Sequence, residues 1–248
     1  MLAFALLLTC GIISPGNGSQ GGDAAKEKVI AALEKLGGKV FQDEVSPDKP
    51  VIGVDLDETR ATDDDLARLE VFPHLQSLSL DHTRVTDAGL VHLERVTSLT
   101  DLDLDETTLT DAGLAHLKGL VNLRKLTLTH TGVTDAGLVH LKGLKRLETL
   151  CLIGTKVTDA GLVHLKGLSR LEWLFLDYTT ITDAGLAHLK GLDSLEFLML
   201  NKTEVTDAGL KYLEGMTNLE LVSLHHTRVT DAGADRLQKA LPKATIYH

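Results

Sequence analysis

The dipeptide Thr-Asp recurs at residues 62, 86, 110, 134, 158, 182, 206 and 230, one copy every 24 residues with no insertion or deletion. From residue 86 onward each copy reads Thr-Asp-Ala-Gly. A strict period of this length marks a stack of like supersecondary units, none of which can bury its apolar face alone. The chain is therefore expected to be a solenoid, and eight uninterrupted units leave no room within residues 51–248 for a second domain.

One unit, Thr110 to Val133, reads TDAGLAHLKGLVNLRKLTLTHTGV. In its Leu-x-Leu segment Leu126 and Leu128 point to one side of a strand, so they should face the core while Lys125, Thr127 and Thr129 face out. In the next unit Thr134 suits a helix N-cap and Asp135 adds negative charge where the first-turn amides and the dipole favour it. Leu138, Leu141 and Leu144 then form the inner face of a short helix, and Gly143 suits its stop. Gly137 sits inside the helix start at a cost of about 1 kcal/mol against alanine, which implies close backbone packing against a neighbouring turn.

The spacing Leu123-x-x-Leu126-x-Leu128-x-x-Thr131-x-Val133 resembles the leucine-rich repeat, with threonine where that family usually carries asparagine or cysteine. The Thr-Asp-Ala-Gly-Leu form is similar to bacterial members and close to the cysteine-containing subtype. The resemblance implies an α/β fold, a curved leucine-rich repeat solenoid with parallel β-strands on the concave face and short helices on the convex face. Thr59, Thr83, Thr107, Thr131, Thr155, Thr179, Thr203 and Thr227 should bond backbone where the chain leaves each strand, the role that asparagine plays elsewhere in the family.

Residues 1–20 read as a signal segment: Met1 to Ile13 is largely apolar, a run of small polar residues follows, and the run is too short for a membrane span. Leu7-Leu8-Thr9-Cys10-Gly11 loosely resembles a lipoprotein signal, but Thr9 and the short run before Cys10 argue against a lipid anchor. Export to the periplasm, envelope or exterior is the expectation. Residues 21–50 should form an N-terminal cap: a helix N-capped by Asp23, with Val29, Ile30, Leu33 and Leu36 on one face and Gly37-Gly38 as its stop, then a strand near 39–44. At the other end Leu237, Leu241 and Ile246 continue the core, and Pro242 ends the last helix.

The net charge of −10 argues against nucleic acid or an anionic membrane as partner. Two cysteines exclude a disulfide scaffold. No nucleophile elbow, phosphate loop, HExxH or dinucleotide fingerprint is present, so neither catalysis nor a cofactor is expected. The histidine column His92, His116, His140, His164 and His188 reads as helix surface and not as a metal site, because Arg68, Tyr212 and Arg236 take its place in other units.

Specificity must then come from the variable outward positions of the strands. Early units present Asp55, Asp57 and Glu58, then Ser77, Ser79, Asp81 and His82, then Asp101, Asp103, Asp105 and Glu106. The column Asp57, Asp81 and Asp105 should be self-repelling, a state that a basic partner or a cation would relieve. Later units present Cys151, then Trp173, Phe175, Asp177 and Tyr178, then Phe197 and Met199, then Leu221. Cys151 reads as a small filler. The aromatic group should form an exposed apolar patch of the kind that marks interaction sites. The leading reading is a non-enzymatic module that binds a protein or peptide with a basic segment, anchored by Trp173, Phe175, Asp177, Tyr178, Phe197, Met199 and Leu221 and steered by Asp81, Asp101, Asp103 and Asp105. Alternatives are an envelope glycan binder, a spacer, and a substrate receptor resembling F-box ubiquitin-ligase components, for which no F-box is visible.

Overall fold

The computed structural model describes residues 20–248. The expected signal segment, residues 1–20 but for its last residue, lies outside the described residues, and so does Cys10. Ten strands form one sheet in chain order. They are β1 Lys39–Gln42, β2 Val51–Asp55, β3 Ser77–Ser79, β4 Asp101–Asp103, β5 Lys125–Thr127, β6 Thr149–Cys151, β7 Trp173–Phe175, β8 Phe197–Met199, β9 Leu221–Ser223 and β10 Thr245–Tyr247. β1 is antiparallel to β2, and every later pair is parallel. From β2 to β10 each residue pairs with the one 24 positions on, as Leu126 does with Leu150 and Leu150 with Leu174, so the sequence period is the strand register.

The return half of each unit is short and tight. Asp111–Leu117 and Asp183–Leu189 are α-helical, Asp135–Leu138 is one α-turn continued as a 3-10 turn to Gly143, and Gly89–Arg95 is 3-10 throughout. Leu126, Leu128, Leu138, Leu141 and Leu144 are all fully buried in one core that runs the length of the stack. Strands lie about 4.8 Å apart and packed helices about 8–10 Å apart, so the sheet takes the inner, concave side. The leucine-rich repeat solenoid expected from the sequence is thus the fold found.

Thr134 accepts from the Ala136 amide, the N-cap the sequence suggests. Its partner Asp135 does more than favour the dipole. Asp135 Oδ1 accepts from the Thr158 amide at 2.7 Å and Oδ2 from the Thr158 hydroxyl at 2.6 Å, so the carboxylate ties its unit to the next. The same pair of bonds joins Asp63 to Thr86, Asp87 to Thr110, Asp111 to Thr134, Asp159 to Thr182, Asp183 to Thr206 and Asp207 to Thr230. These bonds hold the Asp207 carboxyl below its ordinary pKa. Gly137 is needed because a Cβ there would stand 2.4 Å from Asp111 Oδ1.

Each column threonine donates its hydroxyl to the leucine carbonyl three residues back, Thr131 to Leu128 and Thr155 to Leu152 at 2.7 Å each. The residue before each of these threonines is left-handed: Glu58, His82, Glu106, His130, Gly154, Tyr178, Lys202 and His226 have φ between 53° and 64°. Gly143 is the last residue of its 3-10 turn, as expected of a stop, though without the left-handed backbone that Gly167 and Gly191 adopt at φ +88° and +95°.

The N-terminal helix runs from Gln20 to Lys35, which places Asp23 inside its first turn and not at the N-cap. Gly37 ends it with φ +98°. Leu33 reaches the core, and the antiparallel β1 covers the flank of β2. At the other end, Leu237 and Leu241 of the segment after Thr230 are buried and β10 completes the sheet.

Candidate concave-face site

Trp173 and Phe175 of β7 stand opposite Phe197 and Met199 of β8 in register, and Phe197 stands opposite Leu221 of β9. All five side chains are half-buried on the outer face of the sheet. The rings order one another: Trp173 and Phe197 stack with centroids 3.6 Å apart and planes 10° from parallel, and Phe175 lies 6.3 Å from Trp173 at 19°. Leucines supply the core beneath, so the aromatics form a second apolar layer on the solvent side of the same strands. Such a pre-stacked group loses little conformational freedom when a partner covers it.

Asp177 and Tyr178 are not on the strand. Both follow β7, Asp177 only 6% exposed and Tyr178 54% exposed with left-handed backbone, so Tyr178 stands at the margin of the aromatic layer and not within it. Lys202 holds its ammonium 4.4 Å from the Tyr178 ring centre. Asp177 accepts from the amide and the side-chain nitrogen of Asn201, whose Oδ1 in turn accepts from the Ser223 hydroxyl and the His225 amide.

The early acidic residues divide. Asp101 and Asp103 are on β4, whereas Asp81 and Asp105 lie beyond the strand ends in the turns. The carboxylates of the acidic column also tie units together: Asp57 accepts from the Asp81 amide and Asp105 from the Thr129 amide. Asp103 accepts from the Thr127 hydroxyl and the Asp105 amide, and partial burial raises its pKa. Thr127 is accordingly sheltered on the outward face, between Leu126 and Leu128 that point to the core. Bases are also close: Lys39 pairs with Asp55 at 2.9 Å, and Lys125 stands opposite Asp101 in register. Asp101, Arg124, Lys125 and Glu148 line one shallow groove of mixed charge.

Cys151 is 7% exposed beside Thr129, and burial pushes its thiol pKa up, which suits a filler and not a nucleophile. In the histidine column His116 contacts Glu94 at 2.7 Å, while burial, with the Lys142 charge, lowers the His164 pKa. No group of three or more metal-ligating side chains suited to an ion occurs among the described residues.

The sequence reading missed the glutamates that precede the late strands, Glu148, Glu172, Glu196 and Glu220. Their 24-residue spacing was the available signal, hidden because Gln76, Thr100 and Arg124 occupy the position in earlier units.

Residues 73–133 match the family model described as leucine rich repeat. No curated protein matches the chain. Among solved structures, internalin C2 of Listeria monocytogenes superposes with a TM-score of 0.65 at 22% identity, over 88% of this chain and 92% of that one. A leucine-rich repeat protein of Leptospira interrogans gives 0.57 at 24% identity, over 73% of this chain and 45% of that one. The ectodomain of the Arabidopsis receptor kinase HAESA, solved with a peptide hormone ligand, gives 0.65 at 16% identity, over 92% of this chain and 41% of that one. At these identities the likeness is one of fold.

Proposed function

We propose that this chain, a leucine-rich repeat protein, is a non-enzymatic binding module that captures a protein or peptide on its concave face. The observation that carries the reading is the stacked layer of Trp173, Phe197 and Phe175, half-exposed above a core that is already filled by leucine. Aromatic side chains and methionine are enriched at interface centres, and contiguous apolar surface rimmed by polar groups is the usual mark of an interaction site. Met199 and Leu221 extend the layer, with Asp177 and Tyr178 at its margin. The HAESA ectodomain, of like fold, was solved with a peptide hormone ligand, which supports this reading. The apolar leader supports a setting outside the cytoplasm, and among the described residues no helix is long and apolar enough to cross a membrane.

Crosslinking mass spectrometry in the native envelope fraction identifies the partner, with crosslinks expected within residues 149–226. Changing Trp173 and Phe175 together to alanine should then weaken capture by about thirtyfold or more, the scale of a lost hot spot, while circular dichroism shows the fold retained. Undiminished capture by the folded double variant would sink the reading. A partner recovered only as cell-wall glycan would replace it with carbohydrate binding.

A further inference from the structure

The aromatic layer has two margins of different electrostatic character. Beyond the C-terminal ends of β7 to β9 the polar groups are spent on one another, through the chain of bonds from Asp177 to Asn201 to Ser223 and His225. The exposed side chains on that margin are Tyr178, Lys202, His225 and His226. At the N-terminal ends stand Glu172, Glu196 and Glu220, each immediately before an outward apolar residue: Trp173, Phe197 and Leu221. Glu148, one unit earlier, is 3.6 Å from Arg124. Among the described residues Glu172, Glu196 and Glu220 have no ion pair and no side-chain hydrogen bond. The early aspartates, by contrast, are largely engaged by internal bonds.

We propose that the occupant of the concave face is an extended peptide with apolar residues over the Trp173–Phe197 layer and two arginines or lysines on the glutamate margin. This rests on the concave-face reading and specifies its ligand. Neighbouring strands are about 4.8 Å apart, so the row from Glu172 through Glu196 to Glu220 is about 9.6 Å long, and residues i and i+2 of an extended ligand, whose side chains point to the same side, are about 6.6 Å apart. Cations at those two positions fall within the row, while the alternate, apolar residues point the other way, over the rings. A carboxylate beside an aromatic face also suits a guanidinium, which stacks and pairs at once. The opposite charges at the two margins fix which way round the ligand lies.

Trp173 is the only tryptophan, so its emission reports the site directly. The probe is acetyl-Arg-Phe-Arg-Phe-amide, compared with the same peptide carrying citrulline, a neutral isostere, in place of both arginines. The arginine peptide should shift Trp173 emission at about a tenfold lower concentration than the citrulline peptide, the scale of two partly screened pairs. The difference should shrink in high salt and vanish in the E172Q/E196Q/E220Q variant, whose urea midpoint is measured alongside as a check on folding. Equal shifts from the two peptides would overturn the charge assignment and leave the concave-face reading standing. No shift from either would overturn the proposal and count against that reading as well. A chitin oligosaccharide that moves the emission when the arginine peptide does not would assign the layer to sugar.

Discussion

At the scale of single residues, the Thr-Asp-Ala-Gly motif is a joint between units. Aspartate reaches forward to the next threonine, and glycine leaves the space in which the previous aspartate sits. The two glycines of one unit should therefore respond oppositely to alanine. A Cβ on Gly137 collides with Asp111, whereas the nearest atom to one on Gly143 is the Lys118 carbonyl at 3.8 Å. Gly137→Ala is expected to lose about 1–3 kcal/mol through overpacking, and Gly143→Ala to be neutral or to gain up to about 1 kcal/mol. Urea denaturation of the two variants checks the contrast. The need for Gly137 could be read from its cost inside a helix, but not what fills the space, because Asp111 lies 26 residues away. The role of Asp135 was half legible for the same reason: a helix start is a local signal, and a bond to the following unit is not.

At the scale of elements, the first unit shows what a joint needs when nothing precedes it in the stack. Thr62 has no upstream carboxylate from a repeat, and Asp65 of its own helical turn takes its amide at 2.9 Å and its hydroxyl at 3.1 Å. Asp65 is buried and also pairs with Arg68 at 3.1 Å. The run Asp63-Asp64-Asp65, which reads in the sequence as mere acidity, contains the device that closes the stack. Asp65→Ala should cost about 1 kcal/mol, the usual worth of such a cap, while Asp64→Ala should cost little; thermal melts of both decide. Strand positions were legible throughout because Leu-x-Leu alternation sets them. The ends of the strands were not. Asp105 and Asp177 continue the alternation on paper, yet both lie past the strand ends, each just before a left-handed residue of the kind that only Gly154 among the eight announces by its identity.

For the whole molecule, a register fixed at 24 residues makes units interchangeable in length. Removing residues 134–157 joins Val133 to Thr158 and presents Asp111 with a threonine at the position Thr134 held, so the shortened chain should fold cooperatively. Its denaturant m-value should fall roughly in proportion to the surface lost. Removing only 134–145 leaves β5 and β6 half a unit apart, so that one junction cannot pair while the later pairs keep their 24-residue register, and cooperative folding of the whole should be lost; circular dichroism and urea titration distinguish the two. The aromatic layer could be expected from composition alone, because a leucine core has no use for Trp173 or Phe197, but the polarity of its margins needed the structure. The left-handed column carries a further meaning. Glu58, His82, Glu106, His130, Tyr178, Lys202 and His226 share one backbone conformation that costs each about 1–2 kcal/mol relative to glycine, and their neighbours Thr59 to Thr227 bind the turn in the same way every time. Because the backbone there is held by threonine and not by the residue that bears the strain, the rim works like a rail of identical sockets: chemistry as different as a carboxylate, an imidazole, a phenol and an ammonium can be exchanged along it while the solenoid behind stays the same.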